Sequence, residues 1–172
     1  MEFLTWLEMT DFSTWLRESD WGYPVLLCFH AVGMGTVVGI SWMYSARILG
    51  YAKSFPLDGF ERLFSLAWFG FVINAASGVL LFVGEPRRLA ATPAFWIKMV
   101  LIVFAGLSLW ALEKALHGMD EADMLPGAGG ATAREIVVTG AARTAAIASI
   151  VFWLAAITAG RIIGYTMPPP PL

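Results

Sequence analysis

The stretch LFSLAWFGFVINAASGVLLFV, residues 63–83, contains no charged side chain and is the strongest indication of the fold class. At ~1.5 Å of rise per residue, a helix of this length crosses a hydrocarbon core of ~30 Å. Asp58 and Glu61, just after Pro56, resemble a capping box at its start. The stretch therefore predicts a transmembrane helix, and long apolar runs recur on both sides of it.

The composition of the whole chain agrees with a membrane protein. Hydrophobic residues make up 58% of the 172 positions and charged residues 14%, and the mean hydropathy is +0.69. A water-soluble domain of this size cannot hide that much apolar surface. We expect a single membrane domain over 1–172, with no separate soluble domain for catalysis or nucleic-acid binding. Cys28 is the single cysteine, so an intrachain disulfide is impossible.

Three further apolar runs predict spans at about 24–49, 94–116 and 133–163. Thr92 as N-cap and Pro93 at the first helical position mark the start of the third span, and the Thr132/Glu135 capping box marks the start of the fourth. The predicted fold is therefore all-α, an integral membrane antiparallel four-helix bundle.

The segments outside the spans have distinct compositions. In 1–22, apolar residues alternate with acids in a roughly helical pattern, which predicts an interfacial amphipathic helix, or two, on the membrane surface. The glycine-rich 117–131 predicts a flexible loop, and the proline-rich 166–172 predicts an extended tail. Lysines and arginines divide almost equally between the two sides, so the short acidic N-terminal segment decides our expectation that both termini are periplasmic.

Polar side chains inside a bilayer are costly, so each is a candidate site. His30, Lys98 and Arg161 fall in the same leaflet when depth is counted along the helices, and Asn74 offers them a partner. We expect a polar pocket that opens toward the termini and holds an anion, a lipid headgroup or water. The alternative is that Lys98 and Arg161 snorkel to the headgroups while His30 bonds one neighbouring helix.

His30 is also the candidate ligand for a metal or a haem. A bis-histidine haem within the chain is excluded, because His117 lies more than ~20 Å deeper along a parallel helix than His30. A His/Met haem b remains open, since Met99 lies near the depth of His30. A Cu(I) site formed by His30, Met34 and Met99 also remains open, because thioether and imidazole ligands suit this ion.

Small residues predict where the helices approach each other. Gly35 and Gly39 form a GxxxG match in the first span, and Gly160 belongs to a run of small residues at a spacing of four in the last span. We expect these glycines at helix contacts.

Four segments of the chain resemble a known family: FHAVGMGTVVGISWMYSARILG (29–50), SGVLLF (77–82), TPAFWIKMVLI (92–102) and WLAAITAGRIIGY (153–165). They are similar to bacterial four-helix inner-membrane proteins built from a domain of unknown function, and more distantly to copper-resistance D and cytochrome b561-like membrane domains. Six residues match positions of the family pattern, namely His30, Arg47, Phe95 with Lys98, and Gly160 with Arg161. Ser45-Ala46 replaces the family's Asp-Leu. The resemblance implies four helices in the bacterial inner membrane.

No hydrolase, kinase or zinc-protease motif occurs in the chain. We therefore expect a non-enzymatic membrane protein with bound lipid, acting as a subunit of a complex or as a homo-oligomer. The alternative is a small redox or copper-handling membrane protein that uses His30.

Overall fold

The computed structural model describes residues 2–51, 60–123 and 140–168. Every regular element within these ranges is a helix. In chain order the helices are α1 (Glu2–Glu8), α2 (Asp11–Glu18), α3 (Gly22–Ile48), α4 (Phe60–Gly84), α5 (Pro86–Ala90), α6 (Pro93–Asp123) and α7 (Gly140–Thr166).

Four of these helices are long and apolar enough to cross a membrane. Their spanning segments are Gly22–Ile48, Arg62–Gly84, Pro93–His117 and Gly140–Thr166. The all-helical class and the number of spans predicted from the sequence are therefore confirmed for the described residues. The predicted start of the fourth span, at 133, lies outside them.

The outward faces of the long helices are apolar. Val32 of α3 is 65% exposed, Phe69 of α4 is 62% exposed and Val103 of α6 is 60% exposed. A protein in water would bury such side chains against one another, whereas lipid tails solvate them without cost. This surface fits a lipid bilayer.

The long helices touch in a defined order. α3 packs against both α4 and α7, and α6 packs against α7. The Tyr44 and Phe64 rings stack between α3 and α4, with 4.8 Å between centroids. The buried hydroxyls of Ser41 and Ser149 share a hydrogen bond of 2.6 Å between α3 and α7. Since neither hydroxyl can reach water there, this bond satisfies both of them.

Gly50 ends helix α3. Its φ of 91° is a left-handed conformation that a residue with a Cβ rarely adopts. The amide of Gly50 donates to the Arg47 carbonyl at 3.1 Å, and the amide of Tyr51 donates to the Ala46 carbonyl at 2.9 Å. These two bonds form a Schellman motif, which satisfies carbonyls that the helix end would otherwise leave unpaired.

The closest approach of α3 to α4 occurs at Gly33 and Gly70. A Cβ on Gly33 would lie 2.7 Å from the Asn74 amide nitrogen and 2.8 Å from the Gly70 carbonyl oxygen. Gly35 and Gly39, which the sequence places at a helix contact, are exposed and have no atom within 4 Å of an added Cβ. Within the described residues, α3 therefore contacts α4 at Gly33, two residues before the first glycine of the predicted GxxxG motif.

The predicted interfacial segment contains two helices, α1 and α2. Thr10 caps α2 by accepting a hydrogen bond from the Ser13 amide at 3.3 Å. Ser13 and Leu16 are buried, and the Ser13 hydroxyl donates to the Gly84 carbonyl at the end of α4 at 3.2 Å. α2 is thus attached to the end of α4.

Helix α6 continues to Asp123. The predicted flexible loop, 117–131, therefore begins too early. Its first residues include good helix formers such as Met119, Glu121 and Ala122, which explains why the helix continues through them. The rest of that loop lies outside the described residues. The short helix α5 was not predicted, and only the first residues of the predicted 166–172 tail are described.

The glycine contact between α3 and α4 leads to a stability prediction. Gly33→Ala should destabilise the protein by about 1–3 kcal/mol relative to Gly35→Ala, because the new methyl group of the former meets backbone atoms that cannot rotate away. Both substitutions raise helix propensity equally, so their difference isolates the steric clash. Thermal unfolding in detergent measures it. Equal stability of the two variants would mean that α3 and α4 are not in contact at Gly33.

Candidate functional site

His30 lies on α3, about 12 Å along the helix from its start at Gly22. Its Nδ1 is 2.9 Å from the Asn74 carbonyl oxygen and 3.1 Å from the Ser77 hydroxyl, both on α4. The Asn74 side-chain amide donates back to the His30 carbonyl at 2.8 Å. The half-buried imidazole is therefore held against α4 by bonds in both directions.

These contacts determine which ring nitrogen carries the proton. The Ser77 hydroxyl donates to the Ile73 carbonyl at 2.6 Å, so its oxygen is an acceptor toward Nδ1. The Asn74 carbonyl can only accept. The Asn74 side-chain nitrogen also lies 3.4 Å from Nδ1, but its shorter bond, of 2.8 Å, goes to the His30 carbonyl. The two shorter contacts of Nδ1, both to accepting oxygens, therefore favour the proton on Nδ1, and Nε2 of the neutral ring keeps its lone pair.

Lys98 of α6 is the group that faces this lone pair. Its Nζ lies 3.5 Å from Nε2 of His30, at the long limit of a hydrogen bond, and an ammonium can donate in this direction. The half-buried lysine stem runs along α7, where a Cβ on Gly160 would lie 3.4 Å from Nζ. Lys98 thus packs against Gly160 of α7, where an added Cβ would make ordinary van der Waals contacts with the lysine.

Gly78 of α4 lies close to the imidazole. A Cβ there would lie 3.2 Å from Cε1 of the His30 ring, which is tighter than an ordinary contact. All four long helices therefore contribute to the site, since α3 and α6 supply its basic groups, α4 supplies the bonds and α7 packs against the lysine. We call His30, Asn74, Ser77 and Lys98 the basic cluster.

The charge of the basic cluster is unbalanced. Among the described residues, the salt bridges join arginines to Glu8 and Glu85, and none involves Lys98. The single hydrogen-bond partner recorded for Lys98 in this part of the chain is the imidazole, which is itself a base. An ammonium has three donors, so the geometry leaves two available to an acceptor.

The structure brings together three of the four predicted pocket residues, namely His30, Asn74 and Lys98. Arg161 is exposed, and its guanidinium lies over the Tyr165 ring, 5.4 Å from the centroid. Arg161 thus lies at the surface, as the alternative in the sequence analysis describes for this residue. Sequence analysis missed Ser77, although its position one helical turn after Asn74 was a usable signal.

The three candidate metal ligands have different surroundings. Nε2 faces the Lys98 ammonium, Met34 packs against the buried apolar core, and Met99 is 37% exposed on the outer surface. No group of three or more His, Cys, Asp and Glu side chains in the described ranges could hold a metal ion. The His/Met haem b and Cu(I) sites stay predictions, and either one requires Nε2 of His30 to exchange the Lys98 ammonium for the metal.

Comparisons with known proteins give no assignment. No family model matches the chain, and no curated protein or solved structure is significantly similar to it. The family resemblance described above therefore stays a prediction, and the basic cluster is the basis for a function.

The geometry of the basic cluster predicts the tautomer of His30. The chain has two histidines, so His117→Gln leaves His30 as the single one. We expect nitrogen-15 spectra of this variant at neutral pH to show a protonated Nδ1 and an unprotonated Nε2. Adding Lys98→Met should move the Nε2 resonance and leave Nδ1 almost unchanged, because the donor to Nε2 is lost. A proton found on Nε2 would contradict the assigned contacts.

Proposed function

We propose that the chain is a non-enzymatic membrane subunit, in which the basic cluster receives an acidic group from a partner subunit or a second copy of the chain. The observation that carries this proposal is the position of Lys98 within a span, with a neutral imidazole as its recorded partner in the described residues. The proposed location is the bacterial inner membrane, with both termini on the periplasmic side.

Residue pairings support an antiparallel four-helix bundle. Between α3 and α4, His30 contacts Ser77 and Tyr44 contacts Phe64. Residue numbers therefore increase along α3 in the direction in which the numbers of the contacted α4 residues decrease. Between α6 and α7 the same relation joins Lys98 to Gly160 and Phe104 to Phe152. These pairs fit helices that run in opposite directions.

The energetic reason for an external acidic group is the cost of a cation in an apolar span. A lysine at the centre of a membrane helix costs about 3 kcal/mol or more, and pairing lowers this cost. Lys98 lies five residues (98 − 93), or about 7.5 Å, inside the start of α6, so its cost is lower than that of a central lysine, and its stem packs against Gly160 of α7. An acidic side chain that reaches the two remaining N–H donors would neutralise the charge and satisfy them.

The surface of α6 near Lys98 is suited to another helix. Trp96, Ile97 and Val100 are each 56% exposed and belong to the same part of the helix. A partner span that packs on this apolar surface would place a carboxylate close to Lys98 without crossing the bundle. Large exposed aromatic side chains such as Trp96 also contribute strongly to interfaces.

The proposal predicts that Lys98 is needed for assembly. Lys98→Gln should dissociate the complex or homo-oligomer, whereas Lys98→Arg should largely preserve it because the charge remains. Lys114→Gln is the matched control, since this lysine is on the same helix but is exposed and lies over the Trp110 ring. Native mass spectrometry of protein extracted in mild detergent measures the state of association.

Two results would contradict this proposal. One is wild-type protein that is a lone monomer after gentle extraction, without a partner. The other is an assembly that survives Lys98→Gln as well as it survives Lys114→Gln.

The alternative function, a small redox or copper-handling protein, has a separate test. If His30 binds haem, the purified protein should show a Soret band that is lost in His30→Ala; if it binds copper, metal analysis should show about one ion per chain lost in the same variant. Lys98 would have to move away from Nε2 in either case. A colourless, metal-free preparation would remove this alternative.

A further inference from the structure

A polar cavity of about 710 Å³ lies between α1, α2 and α5, outside the spanning segments. The charged side chains that line it are Glu8, Arg17, Glu85, Arg87 and Arg88. Three arginines against two glutamates leave a net formal charge of +1 (3 − 2) on this lining. We call this the arginine cavity.

Arg17 is the arginine that carries the excess charge. It donates to three neutral oxygens, the Ser13 hydroxyl at 2.8 Å and the Gly84 and Glu8 carbonyls at 3.0 and 2.8 Å. Within the described ranges no carboxylate forms a salt bridge with it. Its guanidinium is therefore fixed in position while its positive charge stays uncompensated.

Arg87 supplies free donors in a useful geometry. It donates to the Glu8 carboxylate through Nε, which leaves the two terminal nitrogens without a recorded partner among the described residues. The side chain is 42% exposed. The terminal nitrogens of a guanidinium form a fork that matches two oxygens of a phosphate.

The cavity lies at the level where a span meets the headgroup region. Arg17 and Ser13 both bond the carbonyl of Gly84, the last residue of α4, so the cavity adjoins the end of that spanning segment. The opposite face of α2 borders an apolar groove of about 340 Å³ that includes Trp15 and Trp21. Tryptophan favours the membrane interface, which places α2 at headgroup depth.

We propose that the arginine cavity binds the phosphate of a phospholipid headgroup, with Arg17 and Arg87 as the donors. A phosphodiester carries one negative charge, which balances the +1 of the lining. Inorganic phosphate near neutral pH carries up to two charges, and the cavity carboxylates oppose the second one. The ligand chemistry is therefore a phosphate monoanion, and the position of the cavity at the end of the α4 span points to the surrounding lipid as its source.

Titration of delipidated, detergent-solubilised full-length protein with phosphatidylglycerol tests this assignment. Native mass spectrometry should detect bound lipid, and Arg87→Gln should weaken its binding about tenfold, the scale expected for losing a charge-assisted bond. The affinity of Arg87→Lys for the lipid should lie between those of the wild type and Arg87→Gln, because the charge remains but the two-pronged guanidinium is lost. Arg143→Gln is the control, since this exposed arginine belongs to α7 and not to the cavity lining.

Inorganic phosphate and diacylglycerol form the other two arms of the titration. Diacylglycerol should not bind in an Arg87-dependent way because it lacks the phosphate, and inorganic phosphate should bind much more weakly than phosphatidylglycerol because it lacks the acyl chains. Arg87-dependent binding of inorganic phosphate at comparable affinity would assign the cavity to soluble phosphate and overturn the lipid source. Equal weakening by Arg87→Gln and Arg143→Gln, or no phosphatidylglycerol bound at all, would overturn the site itself.

Discussion

The close approach of α3 and α4 at Gly33 and Gly70 is the contact on which the basic cluster depends. The backbone nitrogen of Asn74 lies 2.7 Å from where a Cβ on Gly33 would stand, and the carbonyl oxygen of Asn74 accepts the hydrogen bond from Nδ1 of His30. If the two helices were separated by one methyl group, the imidazole would lose this acceptor. The packing of small residues, which in lipid replaces hydrophobic burial as a source of helix association, thus also orients the histidine.

A histidine oriented in this way determines what Lys98 can do. Because Nδ1 is occupied by α4, only Nε2 points toward α6, and it meets the ammonium as an acceptor. The basic cluster thus takes its residues from α3, α4 and α6, and Lys98 packs on α7, so the site forms only when these helices are packed together.

The sequence predicts depth along a helix well and rotation about its axis poorly. Spans, and the common level of His30, Asn74 and Lys98, follow from apolar runs and a constant rise per residue. The direction of the side chain turns by about 100° about the helix axis at each residue, so a shift of one or two residues in the predicted contact exchanges an inner position for an outer one. This is why Arg161 lies on the surface beside Gly160, and why Gly33 makes the contact expected of Gly35. Ser77 was missed because hydroxyls are common in membrane helices.

Polar bonds also determine how α2 sits against the long helices. Ser13 and Arg17 both donate to the Gly84 carbonyl, one of the carbonyls that the end of α4 leaves unpaired. The negative end of the helix dipole favours a cation there, and Leu16 packs on the same glycine. An amphipathic helix held by lipid alone could slide along the surface. Because α2 is bonded to α4, which also carries Asn74, the arginine cavity and the basic cluster are fixed relative to each other through one helix.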